Sequence, residues 1–175
     1  RFGAFVDRLR ATLDAHAPGA TLSAFVNAGP HAPWTRASSA RLDHVAAQLY
    51  DAHWAGSDRA GPIVERAPGH PYAVGTTLAR LDALGVPRAR VALGAPLFGY
   101  EWPVESDRWG ARTRGEGSVT PWADTSATWL PTLRRSATGG ARRHGLDRDA
   151  GRTPRYRWRD ADGWHQGWFE DADSL

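Results

Sequence analysis

In HVAAQLYDAHW, His44–Trp54, an apolar run stops at an acid, and a histidine and a tryptophan follow at once. A short apolar run bounded by turn-forming sequence reads as a buried strand. Its end crowds together a phenol, a carboxylate, an imidazole and an indole: Tyr50, Asp51, His53 and Trp54. Such a crowd is either a strand terminus or the wall of a site, and the flanking sequence decides between them.

Upstream, residues 1–16 place Phe2, Phe5, Val6, Leu9 and Leu13 at helical spacing, and Ala17-Pro18-Gly19 ends that helix. TLSAFVNAGP reads as a strand running into Gly29-Pro30, and residues 31–43 as a connector with one short helix before Asp43. Downstream, residues 52–70 form a loop holding Gly56, Gly61, Pro62 and Pro68. PYAVGTTLARLDALG puts Val74, Leu78, Leu81 and Leu84 on one helix face, and Gly85 then Pro87 stop it. RVALGAPLFGY reads as a third strand, apolar enough to be covered on both faces.

Helix, strand, connector, strand, helix, strand is the rhythm of parallel α/β structure. Ligands in such folds gather at the carboxyl ends of the strands. Those ends are Asn27, Tyr50-Asp51, and Phe98 to Trp102. Three parallel strands cannot close a barrel, and both outer strands would be bare edges, so the isolated chain is expected to be poorly soluble.

Residues 103–170 read as a loop-rich insertion, Gly-, Arg-, Ser- and Thr-rich up to residue 153, with a hairpin at about 155–169. Asp162-Gly163 is its turn signal, and Trp158, Trp164 and Trp168 on its arms suit a small core of the insertion, with a subsite wall as the rival reading. Asp160, Asp162 and Gly163 echo a calcium loop, but the remaining acids are missing, which leaves a turn. Asp173 or Ser174 is placed to cap a new helix. Arg134 to Arg159 holds nine arginines against Asp147 and Asp149, a solvated basic segment or a contact for an anionic wall polymer.

At 175 residues the chain suits one domain with a real core, and 41% hydrophobic with 23% charged residues is ordinary for a globular protein. No apolar run reaches the roughly 20 residues of a membrane helix. All 22 basic residues are arginine, and there is no cysteine and no methionine. Lacking cysteine, the chain has no disulfide, thiol nucleophile or Cys-type zinc site. His53 beside Asp51 has no second histidine at ligand spacing, so no metal or other cofactor is expected. A net charge of +3 does not argue for nucleic acid. RYRWR, Arg155–Arg159, interleaves basic and aromatic residues only locally, and no nucleic-acid partner is expected.

Three blocks in order resemble glycoside hydrolase family 18, the chitinase-like enzymes, most of all its bacterial spore-cortex and cell-wall hydrolases. QLYDAHW, from Gln48, resembles the family's sixth-strand Met-x-Tyr-Asp signature, in which Gln takes the first place in some members. VALGAPLFGYEW, from Val91, resembles the seventh-strand pattern lxxGxPxYGxxW. YRWRDADGWHQGWFEDADSL, from Tyr156, resembles the late segment in which an aromatic hairpin leads to a Phe/Tyr-Asp-Asp-x-x-Ser-like run. The resemblance implies a partial (β/α)8 TIM barrel, strands five to seven with flanking helices, over residues 1–175. Phe98 stands where the family usually has Tyr, and Ala52 follows the Tyr-Asp pair. The family's DxxDxDxE motif, which supplies the general acid, is nowhere in these residues, and the resemblance places it upstream of Arg1.

By resemblance the substrate is β-1,4-linked N-acetylglucosamine polysaccharide, chitin or peptidoglycan, and catalysis is substrate-assisted with retention. Tyr50 and Asp51 then hold the substrate's acetamido group and stabilise the oxazolinium. Gln48, Asn27, Trp54, Tyr100 and Trp102 are the expected substrate contacts, the indoles offering flat apolar faces to sugar rings. The resemblance also implies an extracellular or cell-envelope protein, monomeric at full length. The alternative is a chitinase-like protein that binds carbohydrate without cutting it.

Overall fold

The computed structural model describes residues 1–27, 32–121 and 137–175. Gly29-Pro30 and Arg134-Arg135, both singled out above, lie outside the described residues. The chain divides into two compact units, Arg1–Leu49 with Arg66–Gly94, and Tyr50–Glu65 with Ala95–Leu175.

The first unit runs α1 (Phe2–His16), β1 (Ser23–Val26), α2 (Arg36–Ser39), β2 (His44–Gln48), α3 (Val74–Ala83) and β3 (Val91–Gly94). Its strands form a parallel sheet in the order β1-β2-β3, with Ala24 opposite Val45 and Ala47 opposite Leu93. Alternation puts Ala24, Val26, Val45, Ala47 and Val91 on one face. Val26, Val45 and Ala47 are buried there with Leu42, and with Leu81 and Val86 from and just after α3. Thr35 and Ser38 exchange side-chain and backbone hydrogen bonds and start α2 with a capping box. Gly85, at φ 73°, ends α3, with its own N–H on the Asp82 carbonyl and that of Val86 on the Leu81 carbonyl. This reciprocal pair needs a left-handed residue, which is why glycine stands there. On α1 the expected apolar stripe holds except at Phe5, which is 62% exposed, while Val6 is buried.

Asp43 joins this unit at the start of its strands. Its Oδ2 accepts from the Leu22 N–H at 2.7 Å and from Arg10 at 3.1 Å, and its own N–H returns to the Leu22 carbonyl. The Leu22 hydrogen bond, followed by the Arg10 charge, holds this carboxyl below its usual range. Arg10, Asp43 and Arg90 line a polar cavity of about 500 Å³.

Two strand expectations are corrected. RVALGAPLFGY is not one strand, because β3 ends at Gly94 and a new strand of a different sheet begins at Phe98. Pro96 lies in the break and has no N–H to offer a ladder. Nor is β3 covered on both faces, since Ala92 and Leu93 are exposed. HVAAQLY stops pairing at Gln48, leaving Tyr50 outside β2.

The second unit is built on β4 (Phe98–Val104), β5 (Ser118–Pro121), α4 (Ala137–His144), β6 (Asp147–Arg148), β7 (Pro154–Asp160) and β8 (Gly163–Phe169). These strands make one antiparallel sheet in the order β5-β4-β8-β7-β6. One face carries Tyr100, Trp102 and Val104 of β4 opposite Trp168, Gln166 and Trp164 of β8, which lie opposite Arg155, Arg157 and Arg159 of β7. Ala60, Ile63 and Ala111 are buried against that face. The other face holds Tyr156 and Phe169, buried with Ala141 of α4. The Asp160–Gly163 turn is closed by Asp160, which accepts from the Asp162 N–H at 2.9 Å.

No helix begins within residues 170–175, where a turn forms instead, and it is Asp171, not Asp173 or Ser174, that closes it. Its Oδ1 accepts from the N–H groups of Asp173 and Ser174, while Ser174 Oγ accepts from the Asp171 N–H at 2.8 Å. Arg148 grips both carboxylate oxygens, at 3.2 and 2.6 Å. That pairing, outweighing burial, which acts the other way, holds the Asp171 carboxyl below its ordinary 3.8. A depressed folded value means the stabilisation is present above the unfolded value and is lost as the pH falls through the folded one. Asp171→Ala is expected to cost about 1 kcal/mol at neutral pH. In paired thermal melts, the gap between wild type and variant should close as the pH drops below 3.8. A gap that persists in acid would contradict the ionic contribution.

Candidate functional site

Phe98, Tyr100 and Trp102 alternate along β4 and so share one face. Their rings touch in sequence, with centroids 5.5 Å apart at each step. Tyr50 extends the row, meeting Phe98 edge-on at 5.8 Å. Edge-to-face contacts of this kind favour a fixed ring orientation. The row ends on a carboxylate, because the Tyr100 hydroxyl donates to Asp51 Oδ1 at 3.2 Å.

Asp51 sits at φ 67°, in the left-handed region that an aspartate tolerates better than most residues. A residue held there costs of order 1 kcal/mol or more and persists where its surroundings over-determine it. Here the Ala52 N–H donates to the Ile63 carbonyl at 3.0 Å, and the Val64 N–H to the buried carboxylate of Glu170 at 3.2 Å. Ile63 itself is wholly buried. The segment from Tyr50 to Glu65 is therefore stapled at both ends of its loop. Burial first, and the Asp51 charge second, push the Tyr100 phenol up from 10.0 to about 12. The phenol thus stays a hydrogen-bond donor throughout the neutral range.

Trp54 presents its indole to solvent, 54% exposed, while its carbonyl accepts from Trp102 Nε1 at 3.1 Å. Trp102 differs from the expectation of a sugar-facing wall. It is 0% exposed, its N–H is spent inside the unit, and its ring lies against Gly117, where a Cβ would collide with the indole. It anchors the loop that carries Trp54. Tyr100, 8% exposed, likewise faces Asp51 more than solvent.

The second unit thus brings Tyr50, Asp51, Trp54, Tyr100 and Trp102 into one neighbourhood. Gln48 and Asn27 belong to the first unit, Gln48 at the end of β2 opposite Gly94 and Asn27 exposed just past β1. His53 turns Nδ1 to the Pro62 carbonyl at 2.8 Å and helps close the loop. One buried pair carried no sequence signal: the Tyr156 hydroxyl donates to Glu101 Oε2 at 2.9 Å on the opposite sheet face. Only the register of β4, β8 and β7 brings those two side chains together.

No protein-family model matches the chain, and no curated protein sequence does. Solved structures do. A chitinase from Chromobacterium violaceum is 26% identical, with a TM-score of 0.64 over 99% of this chain and 49% of that one. The spore cortex-lytic enzyme of Bacillus cereus is 22% identical, with a TM-score of 0.69 over 99% of this chain and 36% of that one. A family 18 chitinase from Cycas revoluta, solved with (GlcNAc)3, is 18% identical, with a TM-score of 0.68 over 99% of this chain and 52% of that one. The chain therefore spans from about a third to about half the length of these structures. Its parallel and antiparallel sheets make a mixed α/β fold similar to that of these structures. That fold is the chitinase-like fold of glycoside hydrolase family 18. Among the described residues no helix is long and apolar enough to cross a membrane.

Proposed function

We propose that this chain is part of a glycosidase that hydrolyses β-1,4-linked N-acetylglucosamine polysaccharide, chitin or peptidoglycan, with retention, at an extracellular or cell-envelope site. The observation that carries the reading is the Tyr100–Asp51 contact at a left-handed strand end in a chitinase-like fold. On this reading strands β1 to β3 are the fifth to seventh strands of a (β/α)8 barrel. A carboxylic acid protonates the leaving oxygen while the acetamido carbonyl of the same sugar attacks the anomeric carbon, giving an oxazolinium that water then opens. Tyr50 donates to the acetamido oxygen, and Asp51 accepts from its N–H and offsets the positive charge that develops. Trp54 offers its exposed ring to a sugar face. The acid is the glutamate of a DxxDxDxE motif that these 175 residues do not contain. Without it the chain forgoes the roughly 10²–10⁴-fold that general acid catalysis contributes.

The test is to read the codons upstream of Arg1. A DxxDxDxE ending about 10 to 25 residues before Arg1, a window set by one strand-to-helix connection, supports the enzyme. The same motif with its Glu replaced supports a carbohydrate-binding protein that no longer cuts. For the binding wall itself, Trp54→Ala is expected to weaken (GlcNAc)3 binding about tenfold in calorimetric titration. An unchanged affinity would remove Trp54 from the site.

A further inference from the structure

The arginines of β7 occupy the same sheet face as Tyr100. Arg155 lies opposite Trp168, which lies opposite Tyr100, and Arg159 lies opposite Trp164, which lies opposite Val104. Two inter-strand spacings, about 10 Å, therefore separate this arginine row from the strand whose Tyr100 holds Asp51. The guanidiniums lie on indole faces: Arg155 and Arg157 over Trp109 at 4.2 and 4.8 Å, and Arg159 over Trp164 at 5.8 Å. Arg155 is neutralised by Asp147 at 2.9 Å. Its two neighbours along the strand, Arg157 and Arg159, have no such direct pair, although Arg157 lies near enough to share the Asp147 charge. Arg157 donates to the Asp107 carbonyl, Arg159 lies over the Trp164 ring, and both are exposed and form no salt bridge among the described residues.

We infer that this Arg–Trp row is a subsite for a carboxylate-bearing glycan, so that the polymer bound by the proposed glycosidase site is acidic, as peptidoglycan with its peptide stems is, and not neutral chitin. The inference rests on that proposed site only for its direction along the sheet. A planar guanidinium pairs a carboxylate through two parallel hydrogen bonds. Exposed guanidiniums already resting on aromatic rings lose little freedom when they take up such a group. A neutral polymer offers them hydroxyl and amide oxygens but no opposite charge and no bidentate partner. Alternation along β7 sets Arg157 and Arg159 about 7 Å apart, close enough for one acidic substituent and its stem to engage both.

The test compares binding of the 175-residue chain to three probes: purified peptidoglycan sacculi, the same sacculi with their carboxylates capped by methylamide, and (GlcNAc)6. Arg159→Gln and Arg157→Gln/Arg159→Gln are compared with wild type. Arg159→Gln disturbs no side-chain hydrogen bond among the described residues, and near-UV circular dichroism reports whether the tryptophan core survives in each. The double variant is expected to bind native sacculi about tenfold more weakly, with (GlcNAc)6 affinity unchanged, and Arg159→Lys should recover part of the loss. Capping should weaken wild type by a similar factor and leave the double variant unaffected. Equal binding of native and capped sacculi by wild type, or no loss in a folded Arg159→Gln, would overturn the inference. Arginine-dependent binding of sacculi with no affinity for (GlcNAc)6 would uphold the acidic-glycan row while counting against the glycosidase site.

Discussion

Asp51→Ala, made in a polypeptide that also carries the general acid, is expected to lower kcat by about 10²–10³-fold. On the proposed mechanism Asp51 acts where charge develops, on the acetamido group that becomes the oxazolinium, so the loss should fall on kcat more than on KM. A second readout needs no turnover. Tyr100 donates to Asp51, and the Asp51 charge is the second cause, after burial, of a phenol pushed up to about 12. Removing that charge should let Tyr100 ionise at lower pH in an ultraviolet titration, while burial still holds it above 10.0. The sign for stability follows: a phenol whose folded value exceeds its unfolded one contributes below pH 10.0, and the contribution is lost as the pH rises toward 12. The alkaline limb of the unfolding curve should therefore be shallower in Asp51→Ala. A Tyr100 titration identical to wild type would mean that the contact is not made in solution.

Trp102→Ala is expected to carry the largest stability loss, about 3–5 kcal/mol. The indole is wholly buried between the Tyr100 ring and Gly117, so its removal leaves a cavity, not a new surface. It also frees the Trp54 carbonyl of its donor. Trp102→Phe separates the two effects, keeping most of the packing and losing the hydrogen bond, worth about 1 kcal/mol. Denaturant unfolding measures both. A loss below about 1 kcal/mol in Trp102→Ala would show that the core of the second unit is not organised around this ring.

The first unit was largely legible in the sequence because its signals are local. The helical spacing of α1 and α3, the Gly85-Pro87 stop and the apolar runs of β1 and β2 each lie within a window of a few residues. The antiparallel sheet was not, apart from the hairpin marked by Asp162-Gly163. β5 and β6 are short and carry no apolar run, and the break between β3 and β4 is signalled only by Pro96 inside an otherwise continuous apolar stretch. Of the candidate site, Tyr50, Asp51 and the strand-end aromatics could be picked out by position. Their partners could not, since the Tyr100–Asp51 contact and the burial of Trp102 depend on residues about fifty positions apart meeting through tertiary structure. Sequence position likewise could not separate Trp54, which faces solvent, from Trp102, which does not.

In the antiparallel sheet, β8 lies at the centre, between β4 and β7. β4 therefore has its partner on that side only after residue 169 has been synthesised, and until then Tyr100 and Trp102 lack the strand that orders them. Closing so long a loop costs entropy before any of its contacts can repay it, which makes such pairings slow. The parallel unit can begin to assemble as soon as β1 and β2 have emerged, whereas the aromatic row beside Asp51 must wait for β8. Chain topology thus makes the candidate site a late event relative to the parallel unit, and a nascent chain leaves its aromatic β4 strand without its β8 partner until that strand has emerged.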